Sequence, residues 1–379
     1  MKLVLKIFLF FAIATTVAAC GNSRRDANAT TAADSVMTAA RGVVIECCDG
    51  FTVVRVANPW RKGEVLHTYV LVPRESPLPD ALPEGTVVRV PLERAVVYSS
   101  VHAGVMKELG AMSAVRGVCD AQYYTMPEVL TGIANGSIAD CGNSLSPTIE
   151  RLVALKPDAI ILSPFQNAGY GVLANLGVPI IECADYMEHT PLGRAEWIKV
   201  FGHLLGKPAI ADSIYRATVE SYTALTRLTA GVKEHPKVLS ETIYSGVWYV
   251  PGGDSYMAHL FADAGASYPW SDDSSSGSLS LHFSQVLERA QDARFWLIKP
   301  AQRMSYADFE ASNPLYARFE AFRQRRIFQC VTAETSLFTD FPFHPDVLLR
   351  DFVAIFHPQL LPGYEPRYYQ PLTDVPGHE

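Results

Sequence analysis

The sequence predicts an α/β fold of two doubly wound lobes, joined by a long helix and separated by a cleft. Short apolar strands alternate with helices from Arg94 to Glu182, which is typical of a parallel sheet covered on both faces. The same alternation returns between Lys237 and Phe356. A helical run over 207–230 lies between these regions, and twenty residues of uninterrupted helix span about 30 Å, enough to reach from one lobe to the other.

Length and composition agree with two domains. The chain has 379 residues, of which 49% are hydrophobic and 19% are charged. It is long enough for two cores, since single cores stop growing at about 250–300 residues. The formal net charge of -7 argues against a nucleic-acid partner and favours solubility.

The amino-terminal residues predict an exported lipoprotein. Lys2 and Lys6 flank a short apolar run, and the sequence from Val17 to Cys20 resembles a bacterial lipobox, although Leu is more usual than Val17 at its position. We expect a signal peptide over 1–19, cleavage before Cys20 and acylation of its thiol. The alternative is an ordinary secretory signal followed by a chance cysteine.

The predicted lipobox indicates how the protein is anchored, and the patterns along the chain indicate where its segments begin and end. Gly21 after Cys20 gives no inner-membrane retention signal, so we expect a protein anchored at the periplasmic face of a bacterial membrane, the outer membrane in a Gram-negative host. Small polar residues predict a flexible tether. The expected segments are a tether over 20–40, an N-terminal lobe over 41–190, a connecting helix region over 191–230 and a C-terminal lobe over 231–379.

Six cysteines remain beyond the lipobox, and their spacings match no zinc or redox motif. They are Cys47, Cys48, Cys119, Cys141, Cys183 and Cys330. We expect buried free thiols. A disulfide such as Cys119 to Cys141 is the alternative in an exported protein.

The most specific segment spans residues 142–164. Ser146 is expected to cap a helix, and Lys156-Pro157-Asp158 is expected to end it. The apolar run Ala159–Leu162 then predicts a buried strand. Glu150 is the one acid of the predicted helix.

This segment, together with 191–199, 285–298 and 344–351, resembles class III (cluster A) substrate-binding lipoproteins of ABC importers, which serve iron-siderophore, haem and cobalamin uptake. The resemblance implies a stiff helix between the lobes and capture of a metal chelate for delivery to a permease in the inner membrane. It implies no cofactor and no catalytic residue.

The resemblance also assigns docking residues. Members of that family present one exposed glutamate on each lobe to basic residues of the permease, and opposed charges would set the register of docking. Glu150 matches the first position, and an ordinary solvated helix glutamate is the alternative. Ser284 stands at the second position, so we expect Glu288, one turn further, to replace it.

A ligand is expected between the lobes, against the loops that leave the carboxyl ends of the strands. Aromatic rings with polar handles in those loops suit a large, flat, partly apolar ligand, such as a ferric siderophore, with haem or a corrinoid as alternatives. The candidate ligand-binding residues are Ser99, Ser100, His102, Tyr124, Phe165, Gln166, Tyr170, Tyr244, Trp248, Tyr249, Trp270 and Arg303.

Two of these residues carry explicit alternatives. His102 is otherwise a loop hydrogen-bonding residue, and Arg303 is otherwise a solvated arginine rather than a partner of an anionic ligand. The histidines are scattered, so we expect no bare divalent metal site.

An exported hydrolase or transferase is the alternative function. The sequence contains no Gly-x-Ser-x-Gly elbow, Walker loop or His-Glu-x-x-His motif. We therefore expect a monomeric binding protein without catalytic residues.

Overall fold

Two parallel sheets organise the protein, one in each lobe, and they confirm the predicted α/β class. The structure is a computed structural model that describes residues 36–167 and 169–374. The predicted signal peptide, Cys20 and residues 20–35 of the predicted tether lie outside the described residues.

A four-stranded sheet precedes the first lobe. Its strands, in spatial order, are β1 (Val43–Cys48), β2 (Phe51–Ala57), β3 (Val65–Pro73) and β4 (Thr86–Val90). β1 and β2 form a hairpin, and β2 also pairs antiparallel with β3. β4 pairs parallel with β3, because residues 74–85 carry the chain back along β3.

Lobe one is built on a five-stranded parallel sheet in the order β11-β10-β5-β6-β7. Its strands are β5 (Ala95–Val97), β6 (Val115–Val118), β7 (Ala139–Asp140), β10 (Ala159–Leu162) and β11 (Ile180–Glu182), with a small ladder of β8 (Gly142–Asn143) and β9 (Ser146–Pro147). Its helices are α1 (Ser100–Glu108), α2 (Pro127–Asn135) and α3 (Ile149–Leu155).

Both faces of this sheet are covered, as the sequence predicts. Ala95 and Val97 belong to one buried apolar cluster, whereas Val96 belongs to another. Because successive side chains of a strand point to opposite faces, the two clusters lie on opposite sides of the sheet. The strand order reverses between β5 and β10, and such a switch point opens a crevice at the carboxyl ends of the two strands.

Three helices lead from lobe one to lobe two. They are α4 (Pro191–Glu196), α5 (Ile198–Leu204) and α6 (Pro208–Thr229). Ala211 and Tyr215 in the first half of α6 pack into the lobe-one core, and Tyr222 and Leu225 in its second half pack into the lobe-two core. One continuous helix of 22 residues is therefore part of both cores.

Lobe two contains two sheets. The first has the order β12-β16-β17-β18, and only β18 is antiparallel to its neighbour. The second is an antiparallel sheet of β13, β14 and β15. The strands are β12 (Val238–Ser240), β13 (Ile243–Tyr244), β14 (Val247–Pro251), β15 (Ser278–Leu281), β16 (Phe295–Ile298), β17 (Ile327–Gln329) and β18 (Gln370–Pro371). The helices are α7 (Tyr256–Asp263), α8 (Phe283–Ala290), α9 (Tyr306–Ser312), α10 (Glu320–Arg323), α11 (Leu337–Asp340) and α12 (Pro345–Phe356). Within the described ranges, no helix is long and apolar enough to cross a membrane.

One local expectation was wrong. Ser146 does not cap α3, because it is paired in β9 and Thr148 occupies the cap position. Residues 243–251 contain a hairpin, since Ser245 and Gly246 both adopt positive φ and turn the chain between β13 and β14. The end of α3 at Lys156 and the buried strand β10 are as predicted.

The end of the predicted tether is folded. The backbone N–H groups of Thr38, Ala39 and Ala40 donate to the buried carboxylate of Glu196, at 2.7–2.9 Å. Lys199 donates to the same carboxylate at 2.9 Å. Hydrogen bonds therefore hold residues 36–40 against α4. The ordered chain thus begins at least five residues before residue 41, where the lobe was expected to start.

The cysteines are free thiols throughout the described part of the chain. Cys119, Cys141, Cys183 and Cys330 are buried, as expected, and Cys119 and Cys141 are not bonded to each other. Burial raises the pKa of the Cys119 thiol to about 12 and that of Cys141 to about 11. The expectation of burial was wrong for Cys47 and Cys48, which lie at the exposed end of β1.

Candidate functional site

The first candidate site is a cavity at the switch point of lobe one, which we call the lobe-one cavity. It has a volume of about 440 Å³ and is lined by the residues that follow β5 and β10, together with the start of α3 and residues 169–173. Tyr98 and Ser99 follow β5, and Ser163 and Phe165 follow β10. The chain therefore opens this cavity where doubly wound sheets bind ligands.

The rim of the lobe-one cavity is unusually apolar for a protein surface. Leu145, Phe165 and Val172 are 79%, 56% and 58% exposed, and all three line the cavity. Large exposed apolar side chains that converge on one cavity indicate a surface to be covered by a ligand or a partner.

Two further cavities, each of about 380 Å³, continue from this one. The inter-lobe cavity is lined from lobe one by Ser100 and Tyr123 and from lobe two by Thr332, Thr335 and Phe338, among others. Since Ser99 lines one cavity and Ser100 the next, the two cavities are neighbours along α1.

The lobe-two cavity lies below the β13–β15 sheet. Its wall includes Tyr186 of lobe one and Tyr249, Glu241 and Lys299 of lobe two. The Tyr186 hydroxyl donates to the carbonyl of Pro164, at 2.5 Å, which links this wall to the loop after β10. The adjacent Ser99 and Ser100 and the Tyr186–Pro164 hydrogen bond link the walls of the three cavities, which we treat together as the candidate cleft.

The three cavities carry little free charge. A fourth cavity of about 460 Å³ shares Thr125 and Thr339 with the inter-lobe cavity, and its charged groups are paired: Lys107 with Glu128, His344 with Glu108 and Arg367 with Asp340. Among the described lining residues of the three cavities, the charged ones are Glu241 and Lys299, and these form an ion pair with each other. Burial lowers the pKa of Lys299, but the adjacent Glu241 carboxylate more than compensates and raises it above its usual value. Lys299 therefore stays protonated, and the rest of the cleft offers rings and hydroxyl groups.

Five predicted site residues line the cleft. Ser99, Phe165 and Tyr170 lie in the lobe-one cavity, Ser100 lies in the inter-lobe cavity, and Tyr249 lies in the lobe-two cavity. Tyr249 is exposed because it alternates with the buried Trp248 and Val250 along β14.

Four predicted site residues are buried in the core instead. Trp248 and Trp270 pack in the lobe-two core, and Trp248 Nε1 donates to the carbonyl of Ser240 at 3.1 Å. The Tyr124 hydroxyl donates to the carbonyl of Val97 at 3.2 Å, inside lobe one. These three side chains pack in the cores of the lobes, and none of them lines the three cavities described above.

His102 is the fourth. It is 1% exposed, and its Nε2 lies 3.2 Å from Oδ1 of Asp185, whose Oδ2 accepts from Nε of Arg194 at 3.1 Å. Burial alone would raise the pKa of Asp185, but the hydrogen bond from His102 and the charge of Arg194 hold it below its usual value. His102 is thus a hydrogen-bonding residue of the lobe-one core, which is the alternative reading of the sequence.

Three predicted site residues are solvent-exposed outside the three cavities. Gln166 follows Phe165 on the rim loop, and Tyr244 lies at the tip of the β13–β14 hairpin. Arg303 Nη2 donates to Oε2 of Glu334 at 2.5 Å, so its charge is already paired.

Sequence reasoning missed several lining residues. They are Tyr98, Ser163, Val172, Tyr186, Thr332, Thr335 and Phe338. Tyr98 and Ser163 directly follow β5 and β10, so a strict reading of strand ends would have found them.

The two predicted docking acids are exposed. Glu150 lies in the first turn of α3, next to the lobe-one cavity wall at Ile149. Glu288 and Ser284 are exposed on α8.

A lobe with a ligand-sized cavity at its switch point, facing a second α/β lobe, defines a bilobal binding protein. The periplasmic binding protein family matches residues 96–332, more than half of the chain, and the chain belongs to this family. The prediction of a binding protein rather than an enzyme is thereby confirmed.

Individual relatives agree with this assignment. An uncharacterized lipoprotein of Methanocaldococcus jannaschii is 26% identical over 296 residues, which cover 75% of this chain and 69% of the relative. A protein of the ABC-type Fe3+-hydroxamate transport system from Saccharomonospora viridis has the same fold, with a TM-score of 0.55 and 21% identity over 70% of this chain and 94% of that one. A periplasmic heme binding protein from Pseudomonas aeruginosa has a TM-score of 0.56 and 19% identity over 73% of this chain and 96% of that one.

Proposed function

We propose that this protein is the substrate-binding component of an ABC importer and that it captures a ferric siderophore of low net charge. The observation that carries the proposal is the cleft of three adjoining cavities, lined by exposed rings and hydroxyl groups, with one charge pair already neutralised. The family membership and the iron-hydroxamate and heme proteins of the same fold support it.

The lack of free charge in the described lining favours some chelates over others. Burying an unpaired carboxylate or phenolate costs several kcal/mol unless a basic group meets it. Haem propionates and a triply anionic catecholate complex would need such groups, whereas an uncharged ferric hydroxamate would not. Rings and hydroxyls instead supply apolar area and hydrogen bonds to a neutral chelate.

Delivery completes the proposed role. Cys20 would anchor the protein to the membrane, and Glu150, with Glu288 in place of a second family acid, would meet basic residues of the permease. Both glutamates are exposed on short helices of different lobes, which is the placement that two-point docking requires.

A ligand panel tests the proposal directly. The purified protein is titrated with a neutral ferric trihydroxamate, a ferric triscatecholate, haemin and cyanocobalamin, and quenching of its five tryptophans is recorded. We expect saturable binding of the trihydroxamate and weaker binding of the others. Saturable binding of haemin or cyanocobalamin alone would show that this compound class, and not a siderophore, is the ligand. Absence of binding to all four compounds would refute the proposed function.

A further inference from the structure

The four-stranded sheet β1–β4 precedes the family match and lies against the edge of the lobe-one sheet. The Tyr69 hydroxyl on β3 donates to the carbonyl of Ile180 at 2.9 Å and accepts from the N–H of Glu182 at 2.8 Å. Both partners belong to β11, the edge strand. We call β1–β4 the added sheet. Its Tyr69 therefore provides hydrogen-bond partners for backbone groups that an edge strand would otherwise leave unpaired.

A second contact links this sheet to a carboxylate. His67, also on β3, places Nδ1 3.0 Å from Oε2 of Glu182 and Nε2 2.8 Å from the hydroxyl of Thr86. The His67 ring stacks on Tyr69 with a centroid distance of 4.4 Å. Glu182 is 6% exposed, so its carboxylate is held by specific partners rather than by water.

The other oxygen of this carboxylate reaches the ligand cleft. Oε1 of Glu182 accepts a hydrogen bond of 2.5 Å from the hydroxyl of Tyr170, whose side chain lines the lobe-one cavity. Burial and this hydrogen bond both raise the pKa of Tyr170, so the hydroxyl remains a donor at physiological pH.

The backbone around Tyr170 makes the hydrogen bond to Glu182 important for the position of the ring. Gly169 and Gly171 flank the residue, and Gly171 has φ +51°. Glycines widen the conformations available to a loop, so the position of the ring depends on contacts of the side chain itself: its packing on the apolar cluster around Val96 and its hydroxyl hydrogen bond. The hydroxyl contact to Glu182 supplies a fixed point.

We propose that His67 and Glu182 are positioning residues for the ligand: through them the added sheet holds the ring of Tyr170 in the wall of the lobe-one cavity. The inference rests on the proposed function only in treating that cavity as the ligand site. Ordering a side chain before the ligand arrives removes part of the entropic cost of binding.

Tyrosine nitration tests the positioning without any ligand. Tetranitromethane modification is followed by mass spectrometry at Tyr170, with the exposed Tyr123 as internal reference. His67→Phe keeps a ring against Tyr69 but removes both nitrogen contacts, and it should raise nitration of Tyr170 relative to Tyr123. Arg55→Gln, which breaks an ion pair with Glu46 in the same sheet, should leave the ratio unchanged. An unchanged ratio in His67→Phe would overturn the proposal.

A double-mutant cycle tests the consequence for binding. With a neutral ferric trihydroxamate as probe, His67→Phe and Tyr170→Phe should each weaken binding by about three- to tenfold, as expected for one hydrogen bond. The double variant should bind like either single variant, and His67→Asn, which retains a donor near Nδ1, should recover part of the loss. Additive losses would contradict positioning through Tyr170. If the wild-type protein binds no chelate, the proposed function fails, while the nitration ratio still decides the positioning.

Discussion

His344 and Glu108 join the two lobes directly, with Nε2 of His344 2.5 Å from Oε1 of Glu108. Glu108 ends α1 of lobe one, and His344 precedes α12 of lobe two. A second such pair connects His189 Nδ1 with Asp254 Oδ2 at 2.7 Å. In the described part of the chain, the ion pairs between the two lobes both contain histidine.

Stability should depend on the first of these pairs only at low pH. Burial tends to lower the pKa of His344, but the hydrogen bond and charge of Glu108, with the nearby Asp346 and Asp340, raise it above its usual value. A raised pKa stabilises the folded state below the unfolded value of about 6.5, and this contribution is lost as the pH rises through the folded value.

We therefore expect His344→Gln to lower the free energy of unfolding by about 1 kcal/mol near pH 5.5 and by much less near pH 9. Urea unfolding at both pH values measures the difference. His235→Gln, which affects a histidine bonded within lobe two, is the matched control. An equal cost at both pH values would contradict the proposed charge of the pair.

Arg194 should contribute strongly to the stability of the folded protein. Its guanidinium donates to the buried Asp185 and lies 4.7 Å from the centre of the Tyr256 ring. Arg194→Met leaves the Asp185 carboxylate without its cation, and breaking a buried pair in this way costs about 3–5 kcal/mol. Denaturant unfolding provides the measurement. Arg194→Met combined with Asp185→Asn should recover part of the loss, and no recovery would show that the charge is not the cause.

Glu196 should control the order of residues 36–40. Burial tends to raise the pKa of Glu196, but the backbone N–H groups of Thr38, Ala39 and Ala40, together with Lys199, lower it below its usual value. A lowered pKa stabilises the folded state above the unfolded value, and this contribution is lost as the pH falls through the folded value. Glu196→Gln should speed hydrogen exchange at Thr38, Ala39 and Ala40. Glu220→Gln, at an exposed site on α6, should not.

Glu150 should matter for transport and not for capture. An exposed docking charge contributes to recognition of a partner, while the ligand contacts other side chains. We expect Glu150→Ala to retain chelate affinity and to impair uptake in cells that carry the cognate permease. Glu84→Ala removes another exposed acid of the same lobe and should leave uptake intact. A parallel loss of affinity and uptake in Glu150→Ala would argue for a role in the cleft.

The sequence predicted the main elements because their periodicity is strong. The buried run Ala159–Leu162 and the amphipathic α6 match their patterns, so their type and approximate bounds follow from local composition. The β13–β14 hairpin depends on the positive φ of Ser245 and Gly246, which the pattern of apolar residues does not specify. Once that turn is present, strand alternation places Trp248 inside and Tyr249 outside.

The cleft was predicted only in part. Ser99 and Phe165 follow strands of the switch point, so topology places them correctly. Composition could not distinguish Trp270 and Tyr124, which are buried, from exposed rings, because loop depth depends on contacts made far along the chain. Gly252 and Gly253 illustrate this: a side chain on either would collide with backbone oxygens of residues 270–277, which brings Trp270 into the core.

Binding of a neutral ferric trihydroxamate by wild type and Phe165→Ala tests the central claim most directly. Phe165 is a large exposed ring on the lobe-one cavity, and Tyr244→Ala removes an even more exposed ring outside the three cavities. The account predicts saturable binding by wild type, about tenfold weaker binding by Phe165→Ala and unchanged binding by Tyr244→Ala. Equal affinities of all three proteins would show that the ligand does not bind in this cleft.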